Sequence, residues 1–131
     1  MTENRVNQSL PTILDIEAST FDRDGFPVEI GFIRSDGFCF CCLIKPQANW
    51  TVWDSETEKI HGISKNLLNN RGSNVSDVAR TLNQHLAGHV VYSDNLHLDA
   101  SWLESIFSEA ELRMEFKLEQ LPMLLTEAQK K

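Results

Sequence analysis

Residues 13–20 run Ile-Leu-Asp-Ile-Glu-Ala-Ser-Thr, a segment that reads as a buried β-strand except for two carboxylates set two positions apart. Side chains alternate along a strand, so Ile13, Asp15 and Glu17 share one face while Thr12, Leu14 and Ile16 share the other. Two like charges on one face repel each other, and each resists losing water. The arrangement is unfavourable without a cation, and a bound divalent metal is the usual remedy.

The rest of the chain builds a sheet around this strand. After the turn-rich Thr20–Pro27, the stretch "FPVEIGFI" alternates Val28, Ile30 and Phe32 and predicts a second strand. Arg34-Ser35-Asp36-Gly37 carries the Asp-Gly hairpin signal, and "FCFCCLI" after it is apolar on both faces, as a strand covered on both sides would be. Pro46 ends this third strand, and residues 47–64 read as a long polar connection holding Trp50, Trp53 and His61. Ser64 can cap a short helix. Val75, Val78, Ala79, Leu82 and Leu86 then recur at helical spacing, with Gly88 as the stop. Residues 89–93 predict a short parallel strand, and a helix from Asp99 shows Trp102, Leu103, Ile106, Phe107 and Ala110 on one face. Leu112, Met114, Phe116 and Leu118 alternate with charged residues and predict a fifth strand over 112–119, although the Glu and Leu content also suits a helix. The order β-β-β-α-β-α-β describes an α/β fold with an antiparallel meander at its start.

The 131 residues form one domain, 1–131. No stretch reaches the roughly 18 to 20 apolar residues of a membrane helix, and the first ten residues lack the apolar run of a signal peptide. A cytoplasmic location is expected. Cys39, Cys41 and Cys42 have no metal-site spacing and read as small buried hydrophobes of a reducing compartment. The net charge of −7 argues against gripping nucleic acid through a general basic surface. An acidic enzyme can still hold a chain end through metal ions that bridge its carboxylates to phosphate.

A third acid belongs with the first two. Asp99 starts a helix just beyond a strand, and ligands of open α/β sheets bind outside the carboxyl ends of strands. On position alone, a plain N-cap role is the better explanation of Asp99.

The runs "ILDIEAST", "PVEIGFI", "KIHGIS" and "VVYSDNLHLDASWL", in this order, resemble the DEDD superfamily of 3′-to-5′ exonucleases, which includes polymerase proofreading subunits, ribonuclease T and oligoribonuclease. The resemblance implies a ribonuclease H-like fold, with a five-stranded mixed sheet of a three-stranded antiparallel meander plus parallel strands, flanked by helices. It implies catalytic, metal-holding roles for Asp15, Glu17 and Asp99 around two Mg²⁺ or Mn²⁺ ions, one activating water and the other stabilising the leaving 3′ oxygen. Substrate would be single-stranded or 3′-terminal DNA or RNA, with His61 and Asn95 as substrate-binding candidates. His61 also fits a backbone-bonded loop residue, and Asn95 a residue that positions the loop. Many members are homodimers, a further expectation for this chain.

Two departures from the pattern stand out. Asp94 occupies a position where many members have His, adding a charge beside the site. The third motif, a His or Tyr and an Asp one helical turn apart after the fifth strand, is missing: the chain reads "LPMLLTEAQKK" there, and none of its four histidines lies beyond His97. The expectation is a domain whose C-terminal helix is truncated or missing, either a fragment or a shortened relative that has lost catalysis and serves as a binding domain. Leu121, Met123, Leu124 and Leu125 read as the beginning of an element that packs.

Overall fold

The computed structural model describes residues 10–122. Its elements are β1 (Thr12–Ala18), β2 (Pro27–Ile33), β3 (Cys39–Leu43), α1 (Ser55–His61), α2 (Lys65–Arg71), α3 (Val75–Leu86), β4 (Val90–Ser93), α4 (Leu96–Ala110) and β5 (Lys117–Gln120). The five strands form one sheet in the order β3-β2-β1-β4-β5. β1, β2 and β3 are an antiparallel meander, and β4 and β5 add to it parallel to β1. No helix among the described residues is long and apolar enough to cross a membrane.

The alternation read from β1 holds. Leu14, Ile16 and Ala18 are buried with Ile30 and Phe32 of β2, and this face is closed by Val78, Leu82 and Leu86 of α3 and Trp102, Leu103 and Ile106 of α4. Asp15 and Glu17 therefore project from the opposite face, with Gly31 and Glu29 directly across on β2. A smaller cluster of Phe26, Val28, Ile63 and Leu68 packs under Trp50 and Trp53.

Several expectations need correction. The connection 47–64 contains α1, which Asp54 caps by accepting from the Glu56 N–H and, at 2.6 Å, from the Thr57 hydroxyl. It has no apolar stripe to betray it, since Thr57 is its one buried residue and Ile60 is exposed. β3 is an edge strand and not one covered on both sides; Cys39 and Cys41 are exposed and Cys42 half-buried, so the thiols are not core residues. The fifth strand is confined to Lys117–Gln120. Glu111 ends α4 in the left-handed region (φ 56°), and Asn83 of α3 then captures the next segment, donating to the Arg113 carbonyl and accepting from the Glu115 N–H. Those bonds tie residues 113–115 to a helix rather than to the sheet, and Leu112 stays exposed. α4 starts at Leu96, so Asp99 lies inside its first turn and is not its N-cap. Leu121 is buried, while Met123, Leu124 and Leu125, like the N-terminal residues 1–9, lie outside the described residues.

The link between α2 and α3 is threaded against the end of β3, where Ser73 exchanges backbone hydrogen bonds with Leu43 and Lys45. Gly72 makes this approach feasible, because a Cβ there would sit 2.5 Å from both the Lys45 nitrogen and the Leu68 carbonyl oxygen. Gly72→Ala is expected to destabilise the fold by about 1–3 kcal/mol, since backbone on both sides must move. Urea unfolding checks this, and an unchanged midpoint would show that the link is pliable.

Candidate metal centre

β1 and β4 are adjacent and parallel, with Ile13 paired to Tyr92, so their carboxyl ends open at the same edge of the sheet. Asp15 and Glu17 come from β1, Asp94 directly follows β4, and Asp99 descends from the first turn of α4. Asp15, Asp94 and Asp99 each present a carboxylate oxygen, all within 4.8 Å of one another. A cleft of about 410 Å³ holds these three with Glu17, Phe21 and Ile60 in its lining.

Asp99 is the anchor of the group. It is only 2% exposed, whereas Asp15 and Asp94 are solvent-accessible. The Ser93 hydroxyl accepts from the Asn95 N–H at 2.9 Å and donates to Asp99 Oδ2 at 2.5 Å, fixing the carboxylate's direction. Burial pushes the Asp99 carboxyl up to about 7, helped by Asp15, Asp94 and Glu17 and opposed by the Ser93 hydrogen bond. Asp15 is raised by desolvation and then by Asp94 and Glu29, against a backbone hydrogen bond from Ile16. Glu17 is raised by desolvation and by Asp15, with His61 opposing. Among the described residues no ion pair involves any of these four acids. Desolvation and the mutual repulsion of these acids both act in the sense that a cation bound among them would reverse.

The donor set suits a hard cation. Carboxylate oxygens suit Mg²⁺ or Mn²⁺, and among the described residues no soft sulfur or imidazole ligand joins the group. The sequence pattern put Asp15, Glu17 and Asp99 in one site; the structure brings Asp15 and Asp99 together with Asp94, and leaves Glu17 in the same cleft outside the tight group. Asp94 was legible only as an extra charge, because its role depends on β4 lying next to β1. Phe21 and Ile60, both exposed, gave no signal at all.

Asn95 lines the cleft and holds the N-cap position of α4 without a side-chain capping bond. Both ring nitrogens of His61 are engaged by backbone: Nδ1 accepts from the Ile63 N–H at 3.0 Å, and Nε2 lies 3.2 Å from the Ala18 carbonyl oxygen. Trp50 stacks on Phe26 at 5.6 Å, and the Trp53 indole donates to Glu58 at 2.9 Å, so both tryptophans pack the loop against the smaller cluster.

No known protein-family pattern matches the sequence, and no curated protein matches it. The structure does match solved ones. Escherichia coli exonuclease I in complex with a dT13 oligonucleotide superposes with a TM-score of 0.70 at 16% identity, covering 92% of this chain and 30% of that one. Exonuclease I from Methylocaldum szegediense gives 0.69 at 18% identity, over 88% of this chain and 29% of that one. The zinc-bound form of the E. coli exonuclease I complex with single-stranded DNA gives 0.67 at 16% identity, over 86% and 28%. The chain thus spans about 30% of the length of these proteins. The fold is the ribonuclease H-like fold that their exonuclease domain shares, with a mixed five-stranded sheet and four helices among the described residues.

Proposed function

We propose, on this ribonuclease H-like frame, that the chain is a metal-dependent nuclease domain of the 3′-to-5′ exonuclease type that acts on the 3′ ends of single-stranded DNA or RNA. The observation that carries the reading is the meeting of Asp15, Asp94 and Asp99 at the carboxyl ends of two neighbouring parallel strands. Exonuclease I structures holding single-stranded DNA, one of them with zinc, support both the substrate class and a divalent cofactor. A divalent ion bound here would supply charge for an incoming phosphate and lower the pKa of a coordinated water.

The chain's own residues would do the rest. Asp15, Asp94 and Asp99 hold the cation, and Ser93 keeps Asp99 aimed at it. Glu17, at the end of β1 in the same cleft, would reach the cation from its rim, directly or through a bound water, as a fourth carboxylate. Phe21 and Ile60 offer an apolar wall for a terminal base, where stacking on an aromatic ring contributes about 1–3 kcal/mol. Asn95 offers a free amide to the sugar or phosphate. We place the protein in the cytoplasm, where the exposed Cys39 and Cys41 stay reduced.

One observation favours a second reading, a binding domain that keeps the fold without catalysis: among the described residues no histidine or tyrosine lines the acidic cleft. Incubating 5′-labelled DNA and RNA oligonucleotides with the chain and Mg²⁺ or Mn²⁺ separates the two. Stepwise shortening from the 3′ end, abolished by a chelator and by Asp15→Ala, is the expected result. Mn²⁺ binding with no shortening supports the second reading, and equal Mn²⁺ binding by Asp15→Ala removes the metal centre from both.

A further inference from the structure

The pairing of β1 with β2 slips at the position where Glu17 leaves the strand. Glu17 lies opposite Glu29, but Ala18 lies opposite Pro27, so Val28 is an extra residue on β2. Such bulges bend a strand and re-aim the neighbouring side chains. Proline has no N–H to contribute to the ladder. The Ala18 carbonyl takes a donor from outside the sheet, His61 at 3.2 Å. Because Nδ1 accepts from the Ile63 N–H, the ring is the Nε2–H tautomer and Nε2 is the donor. His61 is the last residue of α1, followed by Gly62 in the left-handed conformation (φ 74°). One ring therefore ties the end of a helix to the bulge beside an acid of the cleft.

We propose that His61 is a positioning residue: by holding the Ala18 carbonyl it locks the bulge and fixes the direction of Glu17 into the acidic cleft. This rests on the metal-centre reading above and assigns His61 no contact with substrate. The two ring hydrogen bonds have separable roles. The bond to Ala18 sets Glu17, whereas the bond from Ile63 only closes the turn after α1.

The test uses the 131-residue chain titrated with Mn²⁺ by calorimetry, with thermal unfolding to confirm folding. His61→Ala is expected to weaken Mn²⁺ binding about 10-fold, the lower end of what losing a residue that orients a metal ligand costs. His61→Gln keeps a side-chain N–H for the Ala18 carbonyl and should recover most of the affinity. His61→Asn keeps an acceptor for Ile63 and should not. In a Glu17→Gln background, His61→Ala should cause no further loss, because its effect passes through Glu17. Unchanged affinity in His61→Ala, losses that simply add in the double variant, or rescue by Asn equal to that by Gln would each overturn the proposal. If the wild type binds no Mn²⁺, the metal reading fails, and NMR relaxation of the Glu17 methylenes decides the positioning role. Order in wild type and His61→Gln with mobility in His61→Ala upholds it; equal mobility in all three overturns it.

Discussion

In metal-free buffer, Asp99→Asn is expected to stabilise the fold at pH 8 and to change it little at pH 4. Asp99 is buried among like charges, and its carboxyl rises from 3.8 to about 7. The folded state then holds the proton more tightly than the unfolded chain does. Below pH 4 both states are protonated and no penalty exists. As pH rises from 4 to 7 the unfolded chain ionises first, so stability falls, and above 7 the full penalty is present. At 1.36 kcal/mol for each tenfold in proton affinity, the displacement corresponds to up to about 4 kcal/mol. Asparagine removes the charge while its amide oxygen still accepts from Ser93, so the hydrogen bond at Oδ2 survives the substitution. Urea unfolding of both proteins at pH 4, 6 and 8 reads the effect directly. Wild-type stability should decline across this range, and that of Asp99→Asn should decline less, since only the penalties at Asp15 and Glu17 remain. Mn²⁺ at pH 8 should then stabilise the wild type far more than the variant. A variant less stable than wild type at pH 8 would mean that the Asp99 carboxylate is already satisfied and no cation is needed.

The second large effect concerns rate. If the proposed nuclease reading holds, the 131-residue chain, assayed beside E. coli exonuclease I on the same single-stranded oligonucleotide, should cleave about 10² to 10⁴ times more slowly, the usual worth of a general base. Its one tyrosine, Tyr92, lies in β4, and among the described residues no histidine or tyrosine lines the acidic cleft. Nor does His61 serve as that base, since both of its ring nitrogens are engaged by backbone. Added imidazole should raise the rate in proportion to its unprotonated form, because it takes a proton from water more readily than carboxylates engaged with a cation do. Equal rates for the two proteins, or no response to imidazole at measurable turnover, would show that the cleft already holds a proton acceptor among Glu17, Glu29 and the aspartates.

Much of this was legible in the sequence, for local reasons. A strand's two-residue period puts Leu14 and Ile16 on one face and Asp15 and Glu17 on the other whatever packs around them, and the apolar positions of α3 recur at helical spacing because one face is buried. The same rules placed the Asp-Gly turn between β2 and β3. What failed locally was decided by tertiary partners. The alternation of residues 112–118 predicts a longer fifth strand, but Asn83 supplies hydrogen bonds that hold 113–115 against α3, outweighing the pattern. α1 lacks an apolar stripe, so its helix rests on the Asp54 cap and on His61 bonding to another element, neither of which has a periodicity to detect. The cysteine-rich strand carries apolar residues on both faces yet lies at the sheet edge, because strand order depends on which strands pair. By itself the sequence determined that two carboxylates share an unfavourable strand face and that a third acid lies near a helix start. Only the tertiary structure decided that Asp94 joins them, since a parallel pairing of β4 with β1 is what brings residues about 80 positions apart in the chain to within 4.8 Å, where their charges oppose one another.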